Sequence, residues 1–124
     1  MKLSTGVDLI DIARVRDAVE RHGDRFLARI FTQAEQEECE GRFASLAARF
    51  AAKEAAAKAL GCGIGDVSWQ DIEVRGDEKN APHLYLHGEA ERMADLLGLT
   101  EWSVSLSHTE DQAIAFVVAT SDSS

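Results

Sequence analysis

An alanine-rich segment, FASLAARFAAKEAAAKAL, occupies residues 43–60 of the chain. Alanine and the straight-chain residues Leu, Arg, Lys and Glu have the highest helix propensities, and they make up most of this segment. Phe43, Leu46 and Phe50 recur three or four residues apart, which places them on one face of a helix. The segment therefore predicts a long helix that ends at Gly61, because glycine is the preferred residue just beyond a helix.

The residues before this helix predict one strand and three short helices. Residues 3–10 are mostly apolar and predict the strand, and Asp11 can cap a first helix that ends at Gly23. Residues 26–30 predict a second helical turn. The sequence Thr32-Gln33-Ala34-Glu35 matches a capping box and marks the start of a third helix.

The second half of the chain has mostly the two-residue period of strands. Its predicted elements are four strands (67–75, 83–87, 102–107 and 113–119), a hairpin loop (76–82) and an amphipathic helix (89–97). Because helices come mostly first and strands mostly later, the predicted fold class is α+β, with helices packed on a mostly antiparallel sheet. Residues 1–120 are predicted to form a single domain and residues 121–124 a solvated tail.

The composition is that of an ordinary globular domain, since 45% of the 124 residues are hydrophobic and 28% are charged. No apolar run reaches the roughly 20 residues of a membrane-spanning helix, and no signal-peptide pattern opens the chain. Two cysteines, Cys39 and Cys62, are too few for a disulfide framework and lack metal-ligand spacing, which predicts a cytoplasmic location.

The formal net charge of −9 argues against nucleic-acid binding, which needs an excess of positive charge. The charge is unevenly distributed, because residues 1–58 contain ten basic and ten acidic residues. Residues 59–124 contain three basic and twelve acidic residues. Such an asymmetry can mark separate surfaces for separate partners, but the charge of solvated faces also varies freely.

Two charged residues continue the apolar stripe of the long helix. At about 100° per residue, Glu54 and Lys58 follow Phe50 along one face, where burying a charge without a partner is costly. A bound cation would provide a partner for the glutamate, and a phosphate would provide one for the lysine. The alternative is an ordinary glutamate–lysine pair on a solvated helix.

Asp8 is a second carboxylate of interest because it lies within the apolar opening strand. It can be a loop residue, a cap partner or a ligand of a hard metal ion. Together, Asp8 and Glu54 suit Mg²⁺, which usually takes one or two protein carboxylates and completes its shell with water and substrate phosphates. No cluster of histidine and cysteine in the sequence suggests zinc.

Two further features could contact a ligand. His108 follows the strand at 102–107 with the parity of its apolar residues, so it can contact a phosphate, carry a proton, or simply bond to backbone. The segment GCGIG, residues 61–65, predicts a flexible loop whose backbone could approach a ligand closely. The loop lacks the Walker A pattern and follows a helix, which argues against a dinucleotide site. The other three histidines are predicted to be surface residues.

These elements together resemble a known family. The resemblance rests on Gly6-Val7-Asp8 followed by Arg14, on RFAAKEA at residues 49–55 with Lys58, on the 61–65 loop, and on VSLSHT at residues 104–109. In order and spacing they resemble holo-acyl-carrier-protein synthase, the short, stand-alone group of the 4′-phosphopantetheinyl transferases. The resemblance covers nearly the whole chain, and RFAAKEA is its most specific motif.

The resemblance implies an activity and a site on the 4′-phosphopantetheinyl transferase fold. Members transfer the 4′-phosphopantetheine arm of coenzyme A to a serine of apo acyl carrier protein, for fatty acid biosynthesis, and release adenosine 3′,5′-bisphosphate. By resemblance, Asp8 and Glu54 bind Mg²⁺, Glu54 takes the serine proton, and Lys58 stabilises the pyrophosphate, which makes these three the catalytic residues. The coenzyme-binding residues implied are Lys58, Gly61, Gly63, Gly65, Pro82, Ser107, His108 and Thr109.

The resemblance also implies protein partners. The family is a homotrimer with active sites between subunits, and its carrier partner is acidic, so the docking face should be basic. Arg14 has the place of the family's docking arginine, and Arg21, Arg25 and Arg29 follow it, with a mixed solvated helix as the alternative for these three. No nucleic acid and no membrane are expected as partners.

One departure from the family lies in the hairpin. The family often has Asn-Gly-x-Pro there, whereas this chain has Asn80-Ala81-Pro82, so the shape of the loop on the adenine side is open. Two other functions also stay open: a non-catalytic oligomeric module that binds nucleotide-like ligands, and a metal-dependent phosphohydrolase with water as nucleophile. The presence of both carboxylates together with the lysine and the histidine favours the transferase.

Overall fold

The computed structural model describes residues 1–121 and gives them five α-helices and five strands. A 3-10 turn, Trp69–Asp71, precedes the second strand. In chain order the elements are β1 (Leu3–Asp11), α1 (Ile12–His22), α2 (Asp24–Ile30), α3 (Gln33–Cys39), α4 (Phe43–Ala59), β2 (Ile72–Gly76), β3 (Pro82–Leu86), α5 (Gly88–Leu97), β4 (Leu99–His108) and β5 (Gln112–Ser121).

The strands form two separate antiparallel sheets. Three strands pair in the order β1-β5-β4, and β2 pairs only with β3 as a hairpin. Alternate side chains of β5 point toward α4 and are fully buried, namely Ala113, Ala115, Val117 and Ala119. The predicted α+β class, with helices packed on an antiparallel sheet, is confirmed.

α4 packs against the three-stranded sheet at close range because alanines form most of its contact face. Ala51 and Ala55 have no exposed surface. Gly6 on β1 lies against this face, and a Cβ atom at that position would lie only 1.8 Å from the carbonyl oxygen of Ala55. Only glycine fits there, and the close approach brings the nearby Asp8 toward Glu54.

A buried ion pair joins α4 to α3. Lys53 Nζ donates to Glu35 Oε1 at 2.7 Å and to the carbonyl oxygens of Ile72 at 2.6 Å and Trp69 at 3.1 Å. Both charged side chains are fully buried, and Glu35 Oε2 accepts a hydrogen bond from Val74 N at 2.8 Å. Burial lowers the pKa of Lys53, and the neighbouring Glu35 carboxylate opposes that shift. The pair connects α3, α4 and β2.

Two predictions about local structure are wrong. The strand predicted from residue 67 begins later, at Ile72, because Ser68 and Asp71 form a capping box that closes the 3-10 turn. Asp11 makes no side-chain cap on α1. Its carboxylate instead accepts a hydrogen bond from Gln112 Nε2 at 3.1 Å, since β1 and β5 run side by side there.

The last strand extends further than predicted. Ser121, which was assigned to the solvated tail, is the final residue of β5, and its amide donates to the carbonyl oxygen of Lys2 at 2.9 Å. The other three residues of the predicted tail lie outside the described residues. Within residues 1–121, no helix combines the length and the apolar character needed to cross a bilayer.

Candidate functional site

Asp8, Glu54 and Lys58 come together where β1 packs on α4. Asp8 is opposite Ala115 in the register of β1 and β5, so its side chain is on the face of the sheet that α4 covers. Lys58 Nζ donates to Asp8 Oδ1 at 3.3 Å and to the carbonyl oxygen of Val7 at 3.0 Å. Glu54 lies one turn earlier on α4 and is half-buried. The three predicted catalytic residues therefore belong to one site.

The two carboxylates of this site influence each other. Burial raises the pKa of Glu54, the negative charge of Asp8 raises it further, and the positive charges of Lys58 and Arg14 act in the opposite direction. Of the two possibilities that the helix pattern left open for Lys58, a buried stripe and a solvated face, the structure shows the second, because its side chain is 54% exposed and extends toward β1. Like charges gathered at one place favour a bound cation.

The donor set fits a hard divalent cation whose shell is completed by other oxygens. Within residues 1–121, no three side chains of His, Cys, Asp or Glu come together as a full metal site. Two carboxylates are the share that Mg²⁺ usually takes from a protein, with water and phosphate oxygens in its other positions. Asp8 and Glu54 therefore fit Mg²⁺ bound with a phosphate compound, and they do not fit zinc.

The glycine loop, residues 61–65, follows α4 directly. Gly61 has φ of +78° and Gly65 has φ of +119°, a region of backbone space that favours glycine. Gly63 has no such requirement, and a Cβ atom on any of the three would meet no atom within 4 Å. The loop thus presents open backbone surface just beyond Lys58.

His108 lies toward the other end of α4. It is the last residue of β4, and its Nδ1 is 3.1 Å from the carbonyl oxygen of Thr109. His108 lines a cavity of about 160 Å³ together with Ser107 and Ala48. Since an α-helix rises about 1.5 Å per residue, Ala48 lies roughly 9 Å along the axis from Glu54. One chain therefore holds the predicted site residues in two separate groups.

The positions of Thr109 and Pro82 do not by themselves indicate the coenzyme contacts that were predicted for them. Thr109 Oγ1 accepts hydrogen bonds from Gln112 N at 3.0 Å and Asp111 N at 3.2 Å, so its hydroxyl stabilises the turn between β4 and β5. Pro82 is the first residue of β3 and follows the hairpin loop. That loop borders a polar cleft of about 660 Å³, whose lining residues include Ser45 and Arg49; both also line the cavity at His108.

Arg49 and Glu38 are residues of this cleft that sequence reasoning did not assign. Arg49 Nη2 lies 3.0 Å from Glu38 Oε1, and its Nη1 donates to the carbonyl oxygen of Val74 at 2.8 Å. Burial acts to raise the pKa of Glu38, but hydrogen bonds from Gly76 N and from Arg49 outweigh it and leave the pKa below its ordinary value. Arg49 is part of the RFAAKEA motif, but nothing in the sequence indicates its partner on α3.

The predicted docking arginines lie on α1 and α2, and all four are exposed: Arg14, Arg21, Arg25 and Arg29. Arg25 and Arg29 line a cavity of about 340 Å³ with Phe26. The positive charge of Arg14 acts to lower the pKa of Glu54, against the larger effects that raise it, so Arg14 lies near this carboxylate. The four arginines are therefore available along two helices, with the exposed acidic residues Asp17, Glu20 and Asp24 among them.

The sequence pattern of the 4′-phosphopantetheinyl transferase superfamily matches residues 4–117, a range that contains both groups of site residues. The chain therefore belongs to this superfamily and is an enzyme of that class.

Its relatives within the superfamily are more specific. The holo-[acyl-carrier-protein] synthase of Herpetosiphon aurantiacus is 54% identical in an alignment of 123 positions that covers 94% of this chain and 97% of the relative. The holo-[acyl-carrier-protein] synthase of Moorella thermoacetica is 48% identical in an alignment of 122 positions that covers 96% of this chain and 94% of the relative. The crystal structure of the Helicobacter pylori holo-[acyl-carrier-protein] synthase in complex with coenzyme A is 36% identical, with a TM-score of 0.86 over 94% of this chain and 99% of that one. The resemblance to holo-acyl-carrier-protein synthases is thereby confirmed.

Proposed function

We propose that this chain transfers the 4′-phosphopantetheine group from coenzyme A to a serine of apo acyl carrier protein, which prepares the carrier for fatty acid biosynthesis. The observation that carries the proposal is the meeting of Asp8, Glu54 and Lys58 at one site, in a chain of this superfamily. Coenzyme A as donor is supported by the Helicobacter pylori relative, whose structure is a complex with it. The names of the relatives support the carrier protein as acceptor.

In this reaction the serine oxygen attacks the phosphorus of the 4′-phosphate. The bond from that phosphorus to the adenosine bisphosphate breaks, and adenosine 3′,5′-bisphosphate leaves. Glu54 accepts the serine proton, directly or through a water, because its half-buried carboxylate lies at the site beside Asp8 and Lys58. Lys58 stabilises the negative charge that develops on the leaving group, which its exposed ammonium can reach.

Asp8 and Glu54 also hold Mg²⁺ in this proposal. When bound, the ion neutralises negative charge on the pyrophosphate of the coenzyme. Burial and the charge of Asp8 both raise the pKa of Glu54, and a cation held by the two carboxylates would offset these effects, which supports the assignment. Removing divalent cations with EDTA is therefore expected to abolish transfer, and adding back Mg²⁺ is expected to restore it.

The remaining assignments concern the coenzyme and a second subunit. Ser107, His108 and Thr109 at the end of β4, and Pro82 after the hairpin loop, bind the nucleotide end of the coenzyme. The exposed loop glycines Gly61, Gly63 and Gly65 contact it near Lys58. Within one chain the residues near Lys58 and the residues near His108 lie in two separate groups. We therefore place the complete site between subunits of a homotrimer.

An apolar surface supports the trimer. On the face of the sheet away from α4, Val7 pairs with Phe116 and Leu9 pairs with Ile114 across β1 and β5. These four side chains are between 38% and 56% exposed. Side chains of this kind gathered in one patch are typical of a protein–protein contact, and a closed oligomer would cover them.

The carrier protein and the cellular location complete the proposal. Arg14, Arg21, Arg25 and Arg29 form the surface that docks the acidic carrier, because complementary charge guides such encounters. Both cysteines are free thiols, which is consistent with the reducing cytoplasm. Neither nucleic acid nor a membrane has a part in the reaction.

The proposal is tested by incubating the protein with coenzyme A, Mg²⁺ and apo carrier protein, and by measuring the mass of the carrier and the amount of free adenosine 3′,5′-bisphosphate. Transfer predicts one phosphopantetheine on each carrier and an equal amount of bisphosphate. A carrier with alanine in place of its acceptor serine is the control and should gain no mass. Bisphosphate without carrier modification would instead indicate hydrolysis, and no turnover would indicate a binding module.

A further inference from the structure

The hairpin loop between β2 and β3 is organised around one carboxylate. Asp77 Oδ1 accepts hydrogen bonds from Lys79 N at 2.8 Å and Ala81 N at 3.0 Å, and Asp77 Oδ2 lies 2.9 Å from His83 Nε2. The main chain adds two further bonds, from Asp77 N to the carbonyl oxygen of Ala81 and from Asn80 N to that of Asp77, both at 2.9 Å. Asp77 is thus the centre of the loop's hydrogen bonding.

Asn80 has the left-handed conformation that this loop needs, with φ of +63°. Asparagine tolerates this region better than most residues other than glycine. Asn80 therefore provides the left-handed residue of this turn without a glycine. Because Asp77 holds the amides on either side of Asn80, the turn is fixed by a side chain as well as by its backbone.

The loop forms one wall of the polar cleft of about 660 Å³. Gly76, Asp77 and Asn80 line this wall, and the guanidinium groups of Arg42 and Arg49 are among the groups that complete the cleft. Neither arginine pairs with Asp77 in the described part of the chain, since Arg49 pairs with Glu38 and Arg42 with a residue of its own loop. The carboxylate of Asp77 bonds within the loop, and the hydrogen bonds from His83, Ala81 and Lys79 hold its pKa below the usual range.

We propose that Asp77 is a positioning residue for the coenzyme, because it fixes the shape in which the hairpin loop and the following Pro82 meet the nucleotide end. The inference rests on the proposed function, since it assumes that the cleft receives that end of coenzyme A. Asp77 acts through the loop and touches no reacting atom. Its removal should therefore raise the KM for coenzyme A and leave kcat nearly unchanged.

Three variants test the role of Asp77. Asp77→Ala removes all three side-chain bonds, and Asp77→Asn keeps an oxygen that can accept from both amides. Glu78→Ala is the matched control, because within residues 1–121 the exposed Glu78 side chain makes no hydrogen bond or ion pair. We expect Asp77→Ala to weaken calorimetric binding of adenosine 3′,5′-bisphosphate about tenfold, a typical effect for a positioning residue. Asp77→Asn should recover most of this loss, and Glu78→Ala should bind as the parent does.

A second pair of variants tests the shape of the loop without touching the carboxylate. Asn80→Gly keeps the left-handed conformation, whereas Asn80→Val disfavours it because β-branched residues rarely adopt positive φ. Asn80→Val should weaken bisphosphate binding as Asp77→Ala does, and Asn80→Gly should not. If circular dichroism shows that Asp77→Ala does not fold, the two Asn80 variants still test the inference.

Inorganic pyrophosphate distinguishes positioning of the nucleotide from general damage. Its inhibition constant should be unchanged in every variant, because it lacks the adenosine that the loop meets. Unchanged bisphosphate binding in Asp77→Ala, or a fall in kcat with unchanged KM, would overturn the inference. A parent protein that neither binds bisphosphate nor modifies a carrier would instead contradict the proposed function itself.

Discussion

Replacing Lys53 with methionine tests the buried contact that joins α4 to the hairpin side of the molecule. The substitution keeps a long apolar stem but removes the ammonium, which donates to Glu35 Oε1 at 2.7 Å and to the carbonyl oxygens of Ile72 and Trp69. Glu35 then stays fully buried with hydrogen bonds from Thr32 N and Val74 N, but without a cation beside it. The folded state has to keep that charge in the core or take up a proton.

The size of the effect follows from the complete burial of the pair. Removing one partner of a buried ion pair costs about 3–5 kcal/mol, since the other charge is left uncompensated. The carbonyl groups of Ile72 and Trp69 also lose a hydrogen-bond donor, and this cost overlaps with the cost of the unpaired charge. We therefore expect the free energy of unfolding to fall by about 3–5 kcal/mol, a large part of the roughly 5–15 kcal/mol of an ordinary domain. With a urea m value of about 1–3 kcal/mol/M, the midpoint should fall by roughly 2 M.

The assay is urea unfolding followed by circular dichroism at one fixed protein concentration, because subunit association would make the midpoint depend on concentration. The double variant Glu35→Gln/Lys53→Met buries no charge and should recover much of the loss. Arg92→Met, which breaks the exposed pair with Glu89, is the control and should leave the midpoint unchanged. A Lys53→Met midpoint equal to that of the parent would refute the reasoning.

Three further predictions follow from the fold and the site. Gly6→Ala should lower both the melting temperature and the transfer rate, because the added methyl group would lie 1.8 Å from a main-chain oxygen of α4. Gly63→Ala is the control: its added methyl group meets no atom within 4 Å, so the melting temperature should be nearly unchanged. Glu38 has a lowered pKa, so its contribution to stability is present above its unfolded pKa of about 4.3 and is lost as pH falls through the folded value. Glu38→Gln should therefore lose less stability than the parent between about pH 6 and pH 3 in urea titrations, and an equal loss would contradict this. Phe116→Glu places a charge on the apolar face of the sheet and should convert the proposed trimer into monomers in light scattering. A trimer that stays intact would exclude that face from the interface.

The local structure of the chain could largely be predicted from its sequence because it depends on neighbouring residues. Thr32 and Glu35 form the capping box that their spacing indicates, and α4 ends at Ala59, close to the glycine predicted to stop it. The alternation of β4 likewise predicts which residues face the core. In each case, propensity and packing favour the same structure.

Contacts between distant residues could not be predicted in the same way. Glu35 both caps α3 and neutralises Lys53, but the second role depends on how α3 lies against α4. The approach of Lys58 to Asp8, 50 residues away, depends on Gly6 allowing β1 to lie close to the helix. The resemblance to a family placed Asp8 and Lys58 in one site, whereas the periodicity alone left open whether Lys58 is buried or solvated. Arg49 was missed because its partner Glu38 lies on another helix.

Asp8 and Glu54 are proposed to form the site at which phosphopantetheine is transferred. The most direct measurement is the mass of apo carrier protein after incubation with coenzyme A, Mg²⁺ and the parent, Asp8→Asn, Glu54→Gln or Glu91→Gln protein. Glu91 is an exposed residue of α5 and serves as the matched control. We expect one added phosphopantetheine with the parent and with Glu91→Gln, and none with the two site variants while their circular dichroism stays native. Full modification of the carrier by Glu54→Gln would contradict this proposal.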